Sequence, residues 1–235
     1  MAKVKKSKKK RRGTGRWVKA GLISLFILIC LPLYSVVLFR FFDPGPGFYM
    51  GSEARRLGGI QQQWTPIDAF APVMARSVVA AEDALFCTHN GFDLDAIRDA
   101  IEGGGKRGAS TISQQVAKNV FLWHGRSYFR KGLEAGFTVL IELIWPKERI
   151  VEVYLNIAEF DAGVFGAAAG AQHYFGVAPN RITSTQAARL AAILPNPKKR
   201  SASRPSNFVR KRTRAIISGA GTIDADGRAD CFQGG

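Results

Sequence analysis

Residues 82–119 read EDALFCTHNGFDLDAIRDAIEGGGKRGASTISQQVAKN, and the reading of the chain turns on them. Glu82-Asp83 closes an apolar run, 73–81, and Phe86 and His89 follow at helical spacing, so Glu82, Phe86 and His89 are expected on one helix face. A Gly-rich segment, 103–108, runs into Ser110-Thr111, a good helix N-cap, with Gln114 placed three residues after Thr111 as in a capping box. On the helix that follows, Thr111, Gln115 and Lys118 stack on one face while Ile112 and Val116 point elsewhere. A carboxylate, a glycine loop and a helix start bearing hydroxyl, amide and ammonium groups suit chemistry on a polar, anionic substrate.

Outward from this stretch the periodicity is helical. Helices are expected over 72–86, ended by Asn90-Gly91, over 94–102, ended by the glycines, and from Ser110-Thr111 to about Leu122. Ser127 can cap a long helix that Pro146 stops, with Phe129, Leu133, Phe137, Leu140 and Ile141 as its buried stripe. Further helices are expected over 147–156 and 185–194, the latter capped near Thr183 and closed by Pro195 and Pro197. Strand-like alternation is nearly absent, so the fold class is mainly α. The tail from Gly219 is polar and Gly-rich and is expected to fray.

The 235 residues carry a net charge of +16. Ten of the basic residues lie in the first nineteen positions with no acid among them, leaving about +6 for the rest. A Lys-rich tail suits nucleic acid in isolation, but the segment after it, AGLISLFILICLPLYSVVLF (20–39), has no charge and the length of a bilayer's hydrocarbon core. With no A-x-A-like cleavage site after it, the segment reads as an uncleaved transmembrane helix and not a signal peptide. The positive-inside rule keeps the basic tail cytoplasmic, where it can meet anionic lipid, and puts the remainder outside the cytoplasm. The expected organisation is a basic tail (1–19), a transmembrane helix (20–40), a Pro/Gly linker (41–63), a helical domain (64–215) and a flexible tail (216–235). Cys87 and Cys231 could pair in an oxidising space, but two cysteines this far apart make no framework, and no metal-ligand spacing is visible.

Two carboxylates stand out. Glu82 follows apolar residues, and desolvation there raises its pKa toward the range of a general base or acid; the plainer alternative is a solvated acidic pair with Asp83. Glu134 is four residues from Arg130, and the plainer alternative is a surface ion pair. Lys118, Arg130 and Lys131 form a basic set that could receive phosphates. His89 is more often a structural hydrogen-bonder than a catalyst. The glycine run lacks G-x-x-x-x-G-K-[ST] order, and no G-x-S-x-G elbow is present, which removes P-loop and serine-hydrolase readings.

Five blocks, EDALFCTHNGFD, RGASTISQQVAKN, RKGLE, KERIVEVYLN and GVFGAAAGAQHYFG, appear in the order found in glycosyltransferase family 51, and the chain resembles that family from about Trp64 to Asn207. The family includes the glycan-polymerising domains of class A penicillin-binding proteins and the monofunctional biosynthetic peptidoglycan transglycosylases, which this chain looks like. The resemblance implies a lysozyme-like, two-lobed, mainly helical domain that polymerises lipid II with release of undecaprenyl pyrophosphate and inversion at the anomeric carbon. It implies Glu82 as general base and Glu134 as the donor-side carboxylate, acting in part through a divalent cation (Mg or Mn). It implies Ser110, Thr111, Gln115, Lys118, Asn119 and Arg130 as donor-region contacts, and Asp83, Phe86 and His89 as residues shaping the site around Glu82. Ala109 and Asp161 depart from glycines common in relatives. No K-T-G is present and the only S-x-x-K, Ser7 to Lys10, lies in the tail, so crosslinking falls to separate transpeptidases. The implied partners are lipid II, the growing strand, the inner (cytoplasmic) membrane and other cell-wall assembly proteins, not nucleic acid.

Overall fold

The computed structural model describes residues 14–104, 108–125 and 127–233; most of the basic tail lies outside them. The chain enters through helix α1 (Thr14–Phe41), 28 residues long and so about 42 Å in length. Its first two-thirds present Trp17, Leu22, Ile23, Phe26 and Leu31 outward. Its last turns dock onto the domain. Val36 is fully buried, and the Trp145 indole N–H donates to its carbonyl at 2.7 Å. Arg149 donates to the carbonyls of Phe39 (3.1 Å) and Phe42 (2.7 Å), which a helix C-terminus leaves without partners. Among the described residues no helix is long and apolar enough to cross a membrane; the side chains at positions 25, 28 and 29, in the middle of α1, fall outside that description.

The stretch read as a linker contains a helix, α2 (Phe48–Leu57). Gly47 and Gly58 cap the helix, Gly51 is carried within it, and Met50 and Glu53 are buried on its inner face. Strand β1 (Gln61–Gln62) follows. Helix α3 (Pro72–Glu82) starts on a proline in its first turn, where the missing N–H costs nothing. Next come α4 (Leu94–Glu102), α5 (Ile112–Phe121), α6 (Tyr128–Ile144) and α7 (Lys147–Ile157). Strands β2 (Glu159–Asp161) and β3 (Val164–Phe165) complete a three-stranded sheet of order β1-β3-β2, parallel between β1 and β3 and antiparallel between β3 and β2. Helices α8 (Ala167–Phe175), α9 (Ser184–Ile193), α10 (Asn207–Ala225) and α11 (Asp230–Gln233) end the chain.

The domain is mainly helical, as expected. Helices α3, α9 and α10 pack on one another, and α5 packs between α6 and α7. Asn156, fully buried, ties the small sheet to α7: its side-chain oxygen accepts from the Thr65 N–H and its amide donates to the Thr65 carbonyl, each at 2.8 Å. Two expectations are corrected. In the expected stripe of α6 Ile141 is buried and Phe137 and Leu140 pack against the core, but Phe129 is exposed, and Glu134 and Thr138 take buried places because the helix also packs its polar face on the interior. As far as Gln233 the C-terminal segment does not fray: α10 continues to Ala225, Phe232 is buried, and Cys231 is disulfide-bonded to Cys87. Glycines near Gly219 are tolerated there because α10 lies against α3, where a Cβ on Gly219 would meet the Ala80 Cβ at 3.3 Å.

Candidate active site

Helix α3 stops at Glu82. Asp83 leaves helical geometry at φ −162° and ψ 70°, four residues before the expected end. Its carboxylate has better partners elsewhere: one oxygen accepts the Ile112 N–H at 3.0 Å and the other meets His89 Nε2 at 2.8 Å. The chain therefore turns, and Glu82, Phe86 and His89 do not share a helix face. Phe86 goes into the core at 0 % exposure, beside Phe232 and under the Lys147 ammonium, which lies 4.2 Å from the ring centroid. Lys147 also donates to the His89 carbonyl at 2.7 Å and pairs with Glu142 at 2.9 Å. His89 Nδ1 accepts the Gly91 N–H at 3.2 Å, so the network assigns its proton to Nε2, facing Asp83.

The start of α5 is the predicted capping box. Thr111 Oγ1 accepts the Gln114 N–H at 3.2 Å and the Gln114 side chain accepts the Thr111 N–H at 3.0 Å. Thr111 Oγ1 also donates to the Gly91 carbonyl at 2.7 Å. Gly91 sits at φ +89°, and a Cβ there would press on Thr138 and Glu142, so the tight approach of this turn requires glycine. With Asp83 on Ile112, the helix already has its anion. The amides of Thr111, Ile112 and Gln114 are therefore engaged internally.

Glu82 lies beside this helix start. Its side chain is 13 % exposed, on an open cleft of about 460 Å³ whose walls include Asp93, Ala109, Ser110 and Thr111. Gln115 Nε2 donates to its Oε2 at 3.1 Å and Arg212 Nη2 approaches its Oε1 at 3.4 Å. The Gln115 amide is aimed by the buried Tyr154 hydroxyl, which donates to Gln115 Oε1 at 3.2 Å. Burial holds the Glu82 carboxyl above the usual carboxylate range, and the Gln115 hydrogen bond and the Arg212 charge offset part of that rise. On α6, Glu134 is 3 % exposed, paired with Arg130 at 2.8 Å and with Lys131. Between the two carboxylates Lys118 is partly buried. Burial pushes its ammonium pKa down, opposed chiefly by Glu134 and further by Glu82. The arrangement is one desolvated carboxylate and one cation-clamped carboxylate with an ammonium between them, which can take a proton at one end and neutralise a departing anion at the other.

A family profile described as Transglycosylase matches residues 51–220. The chain belongs to the transglycosylase family. It is 57 % identical over 220 residues to a biosynthetic peptidoglycan transglycosylase of Jannaschia sp. (strain CCS1), covering 92 % of this chain and 90 % of that protein. It is 50 % identical to proteins of the same name from Caulobacter vibrioides, covering 92 % and 96 % of the two chains, and Chromohalobacter salexigens, covering 86 % and 93 %.

Glu82, Ser110 and Thr111 line the cleft, and Gln115 reaches Glu82 directly. Glu134 and Arg130 form the expected i,i+4 pair, but buried and not on a solvated face. Asp83 also borders the cleft, with its carboxylate turned to Ile112 and His89, while Phe86 and His89 stand behind the site as its scaffold. Asn119 turns toward the far end of α5, where its Oδ1 meets His124 Nε2 at 3.3 Å and His124 stacks on Tyr49. Among the described residues no group of three or more His, Cys, Asp or Glu could hold a metal ion. Both Glu134 oxygens are taken by cations, so the donor set there does not fit a divalent ion. Arg212 and the Tyr154–Gln115 hydrogen bond were not found from sequence. Arg212 is one of several bases in RKRTR (210–214), and nothing in that run says which one meets α3.

Proposed function

We propose that this transglycosylase polymerises lipid II into linear glycan strands at the cell envelope, with Glu82 as general base. The observation that carries the reading is Glu82 itself: a carboxylate desolvated at a cleft wall, hydrogen-bonded on one oxygen and facing an arginine on the other. In the step proposed, the 4-hydroxyl oxygen of the acceptor sugar attacks the anomeric carbon of the donor. Its proton passes to Glu82 as the bond to the diphosphate breaks, and the leaving group departs with that electron pair, inverting the centre. Lys118, with Arg130 and Lys131 on α6, supplies positive charge where the diphosphate leaves. Glu134 keeps the two α6 cations fixed, so their charge is preorganised. A lytic enzyme acting on finished glycan has no diphosphate to neutralise and no use for this cation set.

The proposal includes a lysozyme-like domain held at the inner membrane by α1, with the catalytic domain on the extracytoplasmic side. The uncharged 20–39 segment, the outward apolar residues of α1 and the basic flank before it support that placement. An anchored enzyme meets a lipid-tethered substrate at raised effective concentration. Transpeptidases that crosslink the strands are the proposed protein partners. The test is polymerisation of lipid II by the full chain in detergent. Glu82→Gln is expected to lower turnover by roughly 10²- to 10⁴-fold with the fold intact; near-normal strand synthesis by that variant would remove Glu82 from its role.

A further inference from the structure

Glu82 is held from two sides by different helices. Gln115 of α5 takes Oε2. From α10, Arg212 Nη2 donates to the Ala81 carbonyl at 3.1 Å and faces Oε1 at 3.4 Å. Its side chain is 29 % exposed, and its Nε is buried with no protein partner. Burial of Val209, Thr213 and Ile216 fixes the rotation of α10, and the close pass of Gly219 over Ala80 fixes its distance from α3. The guanidinium is thus anchored on the same helix end that carries the base. We propose that Arg212 is a positioning residue for Glu82, locking the carboxylate so that its free lone pairs face the acceptor hydroxyl. This inference rests on the reading of Glu82 as the base.

The charged and titratable groups around Glu82 are Asp83 beside it, Lys118 from α5, Tyr154 from α7, Arg200 from the segment before α10, and Arg212. Tyr154 is buried and stays neutral, its pKa raised well above the usual value by burial. Arg212 opposes the rise that burial imposes on Glu82, so removing it should raise the carboxyl pKa further. The experiment is the pH profile of kcat/KM on lipid II for full-length wild type, Arg212→Gln, Arg212→Lys and Glu82→Gln, with thermal melts on each. Arg212→Gln should move the acidic limb to higher pH and lower the plateau by roughly ten- to a hundredfold. Arg212→Lys should return the limb to its wild-type position with the plateau still reduced, because an ammonium keeps the charge but not the planar fork. An unmoved limb in Arg212→Gln, with the loss confined to KM, would overturn the proposal and make Arg212 a substrate contact. If Arg212→Gln does not fold, a wild-type plateau in Arg212→Lys overturns it equally. Undiminished turnover by Glu82→Gln sinks the base assignment itself, whatever the arginine variants do.

Discussion

At the scale of the residue, the site is built on what burial does to one carboxylate. Burial raises the Glu82 carboxyl pKa, and Gln115 and Arg212 offset that rise only in part. Because its folded pKa lies above the unfolded value of about 4.3, its ionisation weakens the fold as pH rises through that range. Glu82→Gln should therefore melt at or above wild type at pH 7, and the difference should shrink as pH falls toward 4. A variant clearly less stable than wild type at pH 7 would mean that the two hydrogen bonds outweigh burial. Asp83, its neighbour, has a different task although both are acidic. It is the anion at the start of α5 and the partner of His89, so it ties the end of α3 to the start of α5 at the edge of the cleft. Adjacency in the sequence says nothing of this division of labour; their partners, at Gln115 and Arg212 for one and at Ile112 and His89 for the other, show it.

At the scale of the element, α5 matters most, and its start was legible. A hydroxyl at the N-cap and glutamine three residues later satisfy each other's backbone amides whatever the tertiary context. The end of α3 was not legible. Apolar spacing continues past Glu82, but a contact 29 residues further on draws Asp83 out of the helix. Helix α11 is a second case. Four residues long, it has no stability of its own, and its place comes from buried Phe232 and the Cys87–Cys231 bond. That bond closes a sequence separation of 144 residues and pins the Asp83–His89 turn. Cys231→Ser, or reduction of wild type, is expected to cost about 2–4 kcal/mol in denaturant unfolding. An unchanged midpoint would show that packing of Phe232 alone holds the turn.

At the scale of the molecule, α1 joins two environments. Its first part presents apolar side chains outward, and its last turns are part of the domain through Val36, Trp145 and Arg149. Two truncations separate these roles. Removal of residues 1–30 should leave the melting temperature of the detergent-solubilised domain close to that of the full chain. Removal of 1–42 should lower stability by about 2–4 kcal/mol, from the lost Val36 burial and the unpaired Trp145 indole. Equal stability of the two forms would show that α1 is only an anchor. The docked end also fixes the candidate cleft relative to the helix that is proposed to enter the bilayer.

The sequence by itself determined the helical class, the approximate extents of α4, α5, α6, α7 and α9, the capping box at Thr111, the cap at Thr183 and, through ordered motif blocks, the family. These rest on local chemistry, where a residue's nearest partners lie within four positions. The tertiary structure alone decided where α3 ends, that Glu134 is buried with its cations, that the C-terminal segment is ordered, and that Arg212 meets Glu82 across 130 residues. Each of these depends on a contact between helices that are distant along the chain, and helical periodicity fixes which face of a helix is apolar but not which other helix will cover it.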